Sequence, residues 1–159
     1  MTAQLQQRLL IVCLGNICRS PMGEGALRAR LRDAGLADRV EVDSAGLGNW
    51  HAGQPPDRRA IACAAGHGVD ISDLRARQLV DDDYTRFDAL LCADADVLYT
   101  VNAHAPEGAT AEAELLLAWC GLGEKAQIPD PYTLDTAAFE RAWELVDSAA
   151  AAIVARLKR

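Results

Sequence analysis

No run in this 159-residue sequence reaches the ~18 apolar residues that a membrane span requires, although half of the residues are hydrophobic. The opening stretch, MTAQLQQR, has no apolar segment of the kind a secretory leader carries, so residues 1–7 are expected to form a loose tail. Positive charge is scarce: 16 Lys and Arg stand against 23 Asp and Glu, a net charge of −7. That balance argues against nucleic acid and anionic membranes as partners. An acidic chain of this kind holds a small anion only where donors are locally concentrated. Cysteine is too uneven for a secreted disulfide framework, with five residues (Cys13, Cys18, Cys63, Cys92 and Cys120) in a chain that is not small. A reducing, cytoplasmic setting is therefore expected. The three histidines, His51, His67 and His104, are scattered and give no second pair to complete a zinc site with Cys13 and Cys18, so neither metal nor cofactor is expected. Repeats, low-complexity tracts and long charge blocks are also absent, which leaves one domain over residues 8–159.

What is present reads as alternating strands and helices. Residues 8–13, RLLIVC, form a short apolar run suited to a strand buried on both faces. Gly15-Asn16 suits a sharp loop whose backbone visits left-handed conformations. Ser20-Pro21 reads as the cap and first residue of a helix that continues to about Gly35. A second strand is expected over Val40–Asp43, a long glycine-rich loop over Ser44–Pro56 and a helix over Asp57–Ala65. Phe87–Ala93 reads as a strand and Ala95–Ala103 as a helix, while Ala113–Leu117 suits either and Gly121–Tyr132 reads as a loop. The last helix is the clearest element: Phe139, Trp143, Val146, Ala150, Ile153 and Leu157 recur at three and four residues and define one buried face. This alternation implies an α/β fold with a parallel sheet covered by helices on both faces.

The strongest local feature is Cys13-Leu14-Gly15-Asn16-Ile17-Cys18-Arg19-Ser20, placed between a strand and a helix. A loop there gathers backbone N–H groups around an anion at the positive end of a helix. It is not a Walker A loop, since it lacks lysine and the G-K-[ST] ending. Instead it opens with a thiol and closes with a guanidinium, which suits transfer of a phosphoryl group to sulfur. The helix terminus and the nearby cation are expected to favour the Cys13 thiolate. Arg19 offers a planar fork for two phosphoryl oxygens, and Ser20 can donate a hydrogen bond to Cys13. The plain alternative, a core cysteine beside a surface arginine, does not account for the whole loop.

At these residues the sequence resembles the low-molecular-weight protein tyrosine phosphatases, whose signature is close to VCLGNICRSPM. Three further segments are similar and fall in the same order. Asp43-Ser44-Ala45-Gly46 resembles the serine-bearing segment behind the loop, Trp50 stands where the family has an aromatic cleft wall, and Pro129-Asp130-Pro131-Tyr132 resembles its acid-bearing loop. The resemblance implies a three-layer fold with a four-stranded parallel sheet. It also implies Cys13 as nucleophile, Arg19 as phosphate binder and Asp130 as general acid and then base. Leu14 to Cys18 and Ser20 would form the phosphate loop, Trp50 and Tyr132 an aromatic slot, and Ser44 with Asn16 a hydrogen-bonded support. Cys18 would be able to capture oxidised Cys13 as a disulfide, although it reads equally well as a packing residue. The implied partners are a phosphotyrosine-bearing protein as substrate and phosphate as product and inhibitor.

Two positions depart from the commonest family pattern: Thr133 follows Tyr132 where a second tyrosine is usual, and Asp73 stands where many members have a histidine. Two other activities share this type of loop. Arsenate reductases need two further cysteines close in sequence, and Cys92 has no partner in the next dozen residues. Protein-arginine phosphatases tend to carry threonine before the second loop cysteine, where this chain has Ile17. A non-catalytic phosphotyrosine-binding module would be expected to lack Cys13 or Asp130, and both are present.

Overall fold

The first strand is apolar from Leu9 onward because both of its faces are covered there. In the computed structural model, which describes residues 5–158, Gln7–Cys13 forms β1, with Leu9 and Ile11 in one hydrophobic cluster and Leu10 and Val12 in the other. The expected loose tail lies in part outside the described residues, and Gln6 already donates its N–H to the Arg39 carbonyl at 2.7 Å. β2 (Val40–Gly46) and β3 (Ala89–Cys92) flank β1, and β4 (Glu112–Leu115) closes the sheet in the order β2-β1-β3-β4. All three pairings are parallel, with Cys13 opposite Gly46 and Val12 opposite Cys92.

In chain order the helices are α1 (Arg19–Asp33), α2 (Arg58–Gly66), α3 (Asp83–Arg86), α4 (Ala95–Ala103), α5 (Leu116–Trp119) and α6 (Thr136–Leu157). Residues of α1, α2, α5 and α6 pack on the Leu9/Ile11 face, and Tyr84, Phe87, Val97 and Val101 pack on the Leu10/Val12 face. This is the three-layer α/β arrangement the sequence implies. The α6 stripe is buried through Phe139, Trp143, Val146, Ala150 and Ile153, and its first turn is capped by Asp135, which accepts from the Ala138 N–H at 3.1 Å. No helix among the described residues is long and apolar enough to cross a membrane.

The sequence reading is revised most clearly at four places. β2 continues to Gly46 rather than Asp43, because pairing with β1 extends over Ser44-Ala45-Gly46, residues without strand propensity of their own. α1 begins at Arg19 with Cys18 as its cap, so Pro21 sits inside the first turn, where its missing N–H costs no helical bond. Phe87 precedes β3 and closes the unforeseen turn α3. Residues 113–117 divide, with the strand ending at Leu115 and a helix starting at Leu116.

Candidate active site

Strand order reverses between β1 and β3, and the crevice at the carboxyl ends of such strands is where open α/β sheets bind ligands. Cys13 ends β1 there and Asp94 follows β3. Between Cys13 and α1 the chain turns sharply. Asn16 alone among the described non-glycine residues has a left-handed backbone, with φ 59°. Gly15 does not share that conformation. A Cβ on it would stand 3.2 Å from His51 Cδ2, so glycine here makes room for the histidine ring.

The Asn16 side chain holds the turn. Its Nδ2 donates to Ser20 Oγ at 2.7 Å and to Ser44 Oγ at 3.0 Å, and its Oδ1 accepts from the Arg77 N–H at 2.9 Å. Ser44 in turn donates to Glu24 Oε1 at 2.7 Å. Ser20 Oγ accepts from Asn16 and lies 3.0 Å from Cys13 Sγ, where its own hydrogen is available to a thiolate. Hydrogen bonds thus spread both ways from Asn16, through Ser44 to buried Glu24 and through Ser20 toward the sulfur. Burial pushes the Glu24 carboxyl up, against the opposing pull of Ser44 and Arg28. Arg28 closes the network from behind by donating to Glu24 at 2.9 Å and to the Val42 carbonyl at 2.6 Å. Asp73 is exposed and takes no part.

In front of the loop, Arg19 is only 2 % exposed yet keeps its charge. Burial opposes the guanidinium, but Cys13, Asp94 and Asp130 together hold its pKa above the ordinary value. Its Nη1 donates to Asp94 Oδ2 at 2.6 Å and to the Ile128 carbonyl at 2.9 Å, while Nη2 stands 3.7 Å from Asp130 Oδ2. The α1 terminus has no side-chain cap and no acidic residue in its first turn, so no side chain of that turn neutralises its amides. Cys18 is buried as well. Burial first, then Asp57, Cys13 and Asp130, push its thiol far up, which keeps it protonated.

The cleft over this floor is lined by Cys13, Leu14, Gly15, Ile17, Cys18, Arg19, Trp50, His51, Asp130 and Tyr132. Every expected site residue is thus brought together, with Asn16, Ser20 and Ser44 behind the loop rather than in the cleft. Trp50 is 64 % exposed and its ring lies over Gly48, where a Cβ would meet it at 2.2 Å. Asp130 accepts from the Tyr132 N–H at 3.1 Å, and Arg59 straps the same loop by donating to the Tyr132 carbonyl at 2.8 Å and the Leu134 carbonyl at 3.2 Å.

Asp94, Glu24, Arg28, Arg59, Arg77 and His51 were not foreseen. Asp94 alone carried a usable signal, as an acidic residue just after an apolar strand and before a helix. Gly46 gains its importance in the same way, from a contact invisible in sequence. A Cβ there would stand 2.9 Å from Asn16 N, 2.9 Å from Gly15 C and 3.0 Å from Leu14 O, all backbone atoms of the loop. Gly46→Ala is expected to cost about 1–3 kcal/mol in denaturant unfolding, because backbone must move to admit the methyl group. An unchanged midpoint would show that the loop yields freely.

Comparison with known proteins gives the same picture over nearly the whole chain. The family profile described as low molecular weight phosphotyrosine protein phosphatase matches residues 8–159. A low molecular weight protein-tyrosine-phosphatase of Streptomyces coelicolor is 40% identical over 154 residues, covering 95% of this chain and 93% of the relative. Among solved structures, a protein tyrosine phosphatase from Entamoeba histolytica superposes with a TM-score of 0.88 at 29% identity, covering 96% of this chain and 97% of that one. A Drosophila arginine phosphatase superposes with a TM-score of 0.86 at 28% identity, covering 95% and 98%. With its cysteine-to-arginine loop at the end of the first strand and its match to the profile from residue 8 onward, this chain belongs to the low-molecular-weight phosphotyrosine protein phosphatases.

Proposed function

We propose that this phosphatase hydrolyses phosphotyrosine in protein substrates through a cysteinyl-phosphate formed on Cys13. The observation that carries this is the convergence of Cys13, Arg19 and Asp130 on one cleft walled by Trp50, His51 and Tyr132. The phosphoryl oxygens sit among the amides of Leu14 to Ser20 and the cleft-facing Nη2 edge of Arg19. Cys13 attacks phosphorus as the thiolate, the S–P bond forms and the P–O bond to the tyrosine breaks. Asp130, 41% exposed and placed at the cleft rim, gives its proton to the departing phenolic oxygen. In the second half Asp130 takes a proton from water as that water attacks phosphorus. The S–P bond then breaks, the Ser20 hydroxyl stabilises the departing sulfur, and inorganic phosphate leaves. Phosphate therefore also inhibits by occupying the same loop. No step calls on a metal or cofactor.

Asp130→Asn keeps the side-chain shape and the bond from the Tyr132 N–H. It is expected to slow hydrolysis of phosphotyrosine by roughly 10²–10⁴-fold. The loss should shrink for aryl esters with acidic leaving groups, which depart without a proton. Equal losses for good and poor leaving groups would remove Asp130 from the acid role.

A second reading, phosphoarginine as substrate, is supported by the likeness to the Drosophila arginine phosphatase. Against it, Ile17 puts an apolar side chain in the cleft beside Tyr132, which suits a phenyl ring better than a guanidinium. Matched peptides bearing phosphotyrosine, phosphoserine or phosphoarginine decide the matter. Phosphotyrosine is expected to lead in kcat/KM by roughly tenfold or more, the scale on which an apolar pocket discriminates. A lead for phosphoarginine would overturn the reading.

A further inference from the structure

Away from the cleft, α2 and α6 bring together a group of metal-ligating side chains. Cys63 and His67, one helical turn apart on α2, meet Glu140 from the first turns of α6. Glu140 Oε1 lies 3.4 Å from Cys63 Sγ, and Glu140 Oε2 lies 2.8 Å from His67 Nε2. One candidate ligand atom from each residue falls within 4.8 Å of the other two.

We propose that Cys63, His67 and Glu140 form a binding site for a zinc-like divalent transition metal, clamping α2 to α6. Bonds of ~2.0–2.3 Å to a tetrahedral ion put neighbouring ligand atoms roughly 3.3–3.8 Å apart. The Cys63–Glu140 separation of 3.4 Å lies in that range and the His67–Glu140 separation of 2.8 Å just below it, so side-chain adjustment alone admits an ion. Thiolate, imidazole and carboxylate together favour zinc or cobalt over magnesium or calcium. Cys63 lies at the buried end, whereas His67 and Glu140 are 39% and 44% exposed in their side chains, leaving the fourth position to water. The imidazole is already oriented: it stacks on buried Trp143 with ring centroids 5.1 Å apart and planes at 10°.

Burial, with Glu140 second, pushes the Cys63 thiol up to about 12, so the free site is held by S–H and N–H hydrogen bonds to Glu140. Metal entry displaces the thiol proton to solvent, the sulfur becoming the anionic ligand. Arg59 lies one turn earlier on the same stripe of α2 and straps the Asp130 loop, so the clamp would act on the element that anchors that loop.

The test uses the Cys13→Ser protein, in which the nucleophilic thiol of the cleft cannot compete for metal. Cobalt(II) titration is expected to give a thiolate-to-metal charge-transfer band saturating at one equivalent. Zinc should displace it and raise the Tm. The band should vanish in Cys13→Ser/Cys63→Ser. His67→Ala and Glu140→Gln, on exposed side chains that tolerate change, should each weaken binding by about tenfold or more in the same background. No band in Cys13→Ser, a band that survives loss of Cys63, or unchanged affinity in either the His67 or the Glu140 variant would each overturn the site. Because the background has no nucleophile, the result is independent of the catalytic reading.

Discussion

Cys13→Ser is expected to lower turnover of an aryl phosphate by roughly 10⁴-fold or more, the scale seen when a covalent nucleophile is removed. The serine oxygen occupies nearly the same place but is a far weaker nucleophile at neutral pH. The surroundings cannot compensate, because no base lies against position 13: its hydrogen-bond partner is the Ser20 hydroxyl, and Asn16 behind that donates to Ser20 and to Ser44, which donates on to Glu24. The fold should be indifferent. Position 13 is 3 % exposed, the new hydroxyl is no larger than the thiol, and Ser20 Oγ remains within hydrogen-bond reach. Thermal unfolding should therefore shift by less than about 1 kcal/mol equivalent. The variant should still bind inorganic phosphate, since the loop amides and Arg19 are untouched. A rate within about tenfold of the parent enzyme would place the covalent step elsewhere.

This separation between chemistry and scaffold parallels what was readable in the sequence. β1, α6 and the loop from Cys13 to Ser20 were legible because each is a local pattern: a run of consecutive apolar residues, a helical stripe, and a thiol-to-guanidinium spacing after a strand. The residues behind and beside the loop were not, because their roles come from contacts far apart in the chain. Asp94 meets Arg19 across 75 positions, Arg77 meets Asn16 across 61, and His67 meets Glu140 across 73. No local periodicity encodes such pairs. The last three residues of β2 were hidden for a related reason. Ser44-Ala45-Gly46 are extended because β1 pairs with them, and Gly46 is glycine because the loop backbone passes against it. His67 looked isolated among scattered histidines, yet it stands one helical turn from Cys63, and α6 supplies the third partner.

Arg19→Ala is expected to reduce kcat/KM by about 10³–10⁵-fold, comparable with loss of an arginine that neutralises a transferring phosphoryl group. Arg19→Lys should recover only part of that and remain roughly 10²–10³-fold down. The reason lies in how the guanidinium is shared. Nη1 is committed to Asp94 and the Ile128 carbonyl, which fixes the plane, and the remaining Nη2 edge faces the cleft. Asp94 is itself fixed, since its Oδ1 caps α4 by accepting from the Val97 N–H at 2.8 Å. An ammonium group is a single point: it can satisfy Asp94 or reach a phosphoryl oxygen, but it cannot present two parallel donors while anchored behind. The alanine variant also leaves the Ile128 carbonyl and one Asp94 oxygen without their donor, at a cost of about 1–3 kcal/mol of stability. Because the Asp94 side chain is 22% exposed, water softens that loss. Stability of the lysine variant should stay near that of the parent, so its rate deficit measures geometry rather than unfolding. If Arg19→Lys retained phosphotyrosine hydrolysis within about tenfold while folding normally, positive charge alone would be sufficient and the fork would have no special part in the transition state.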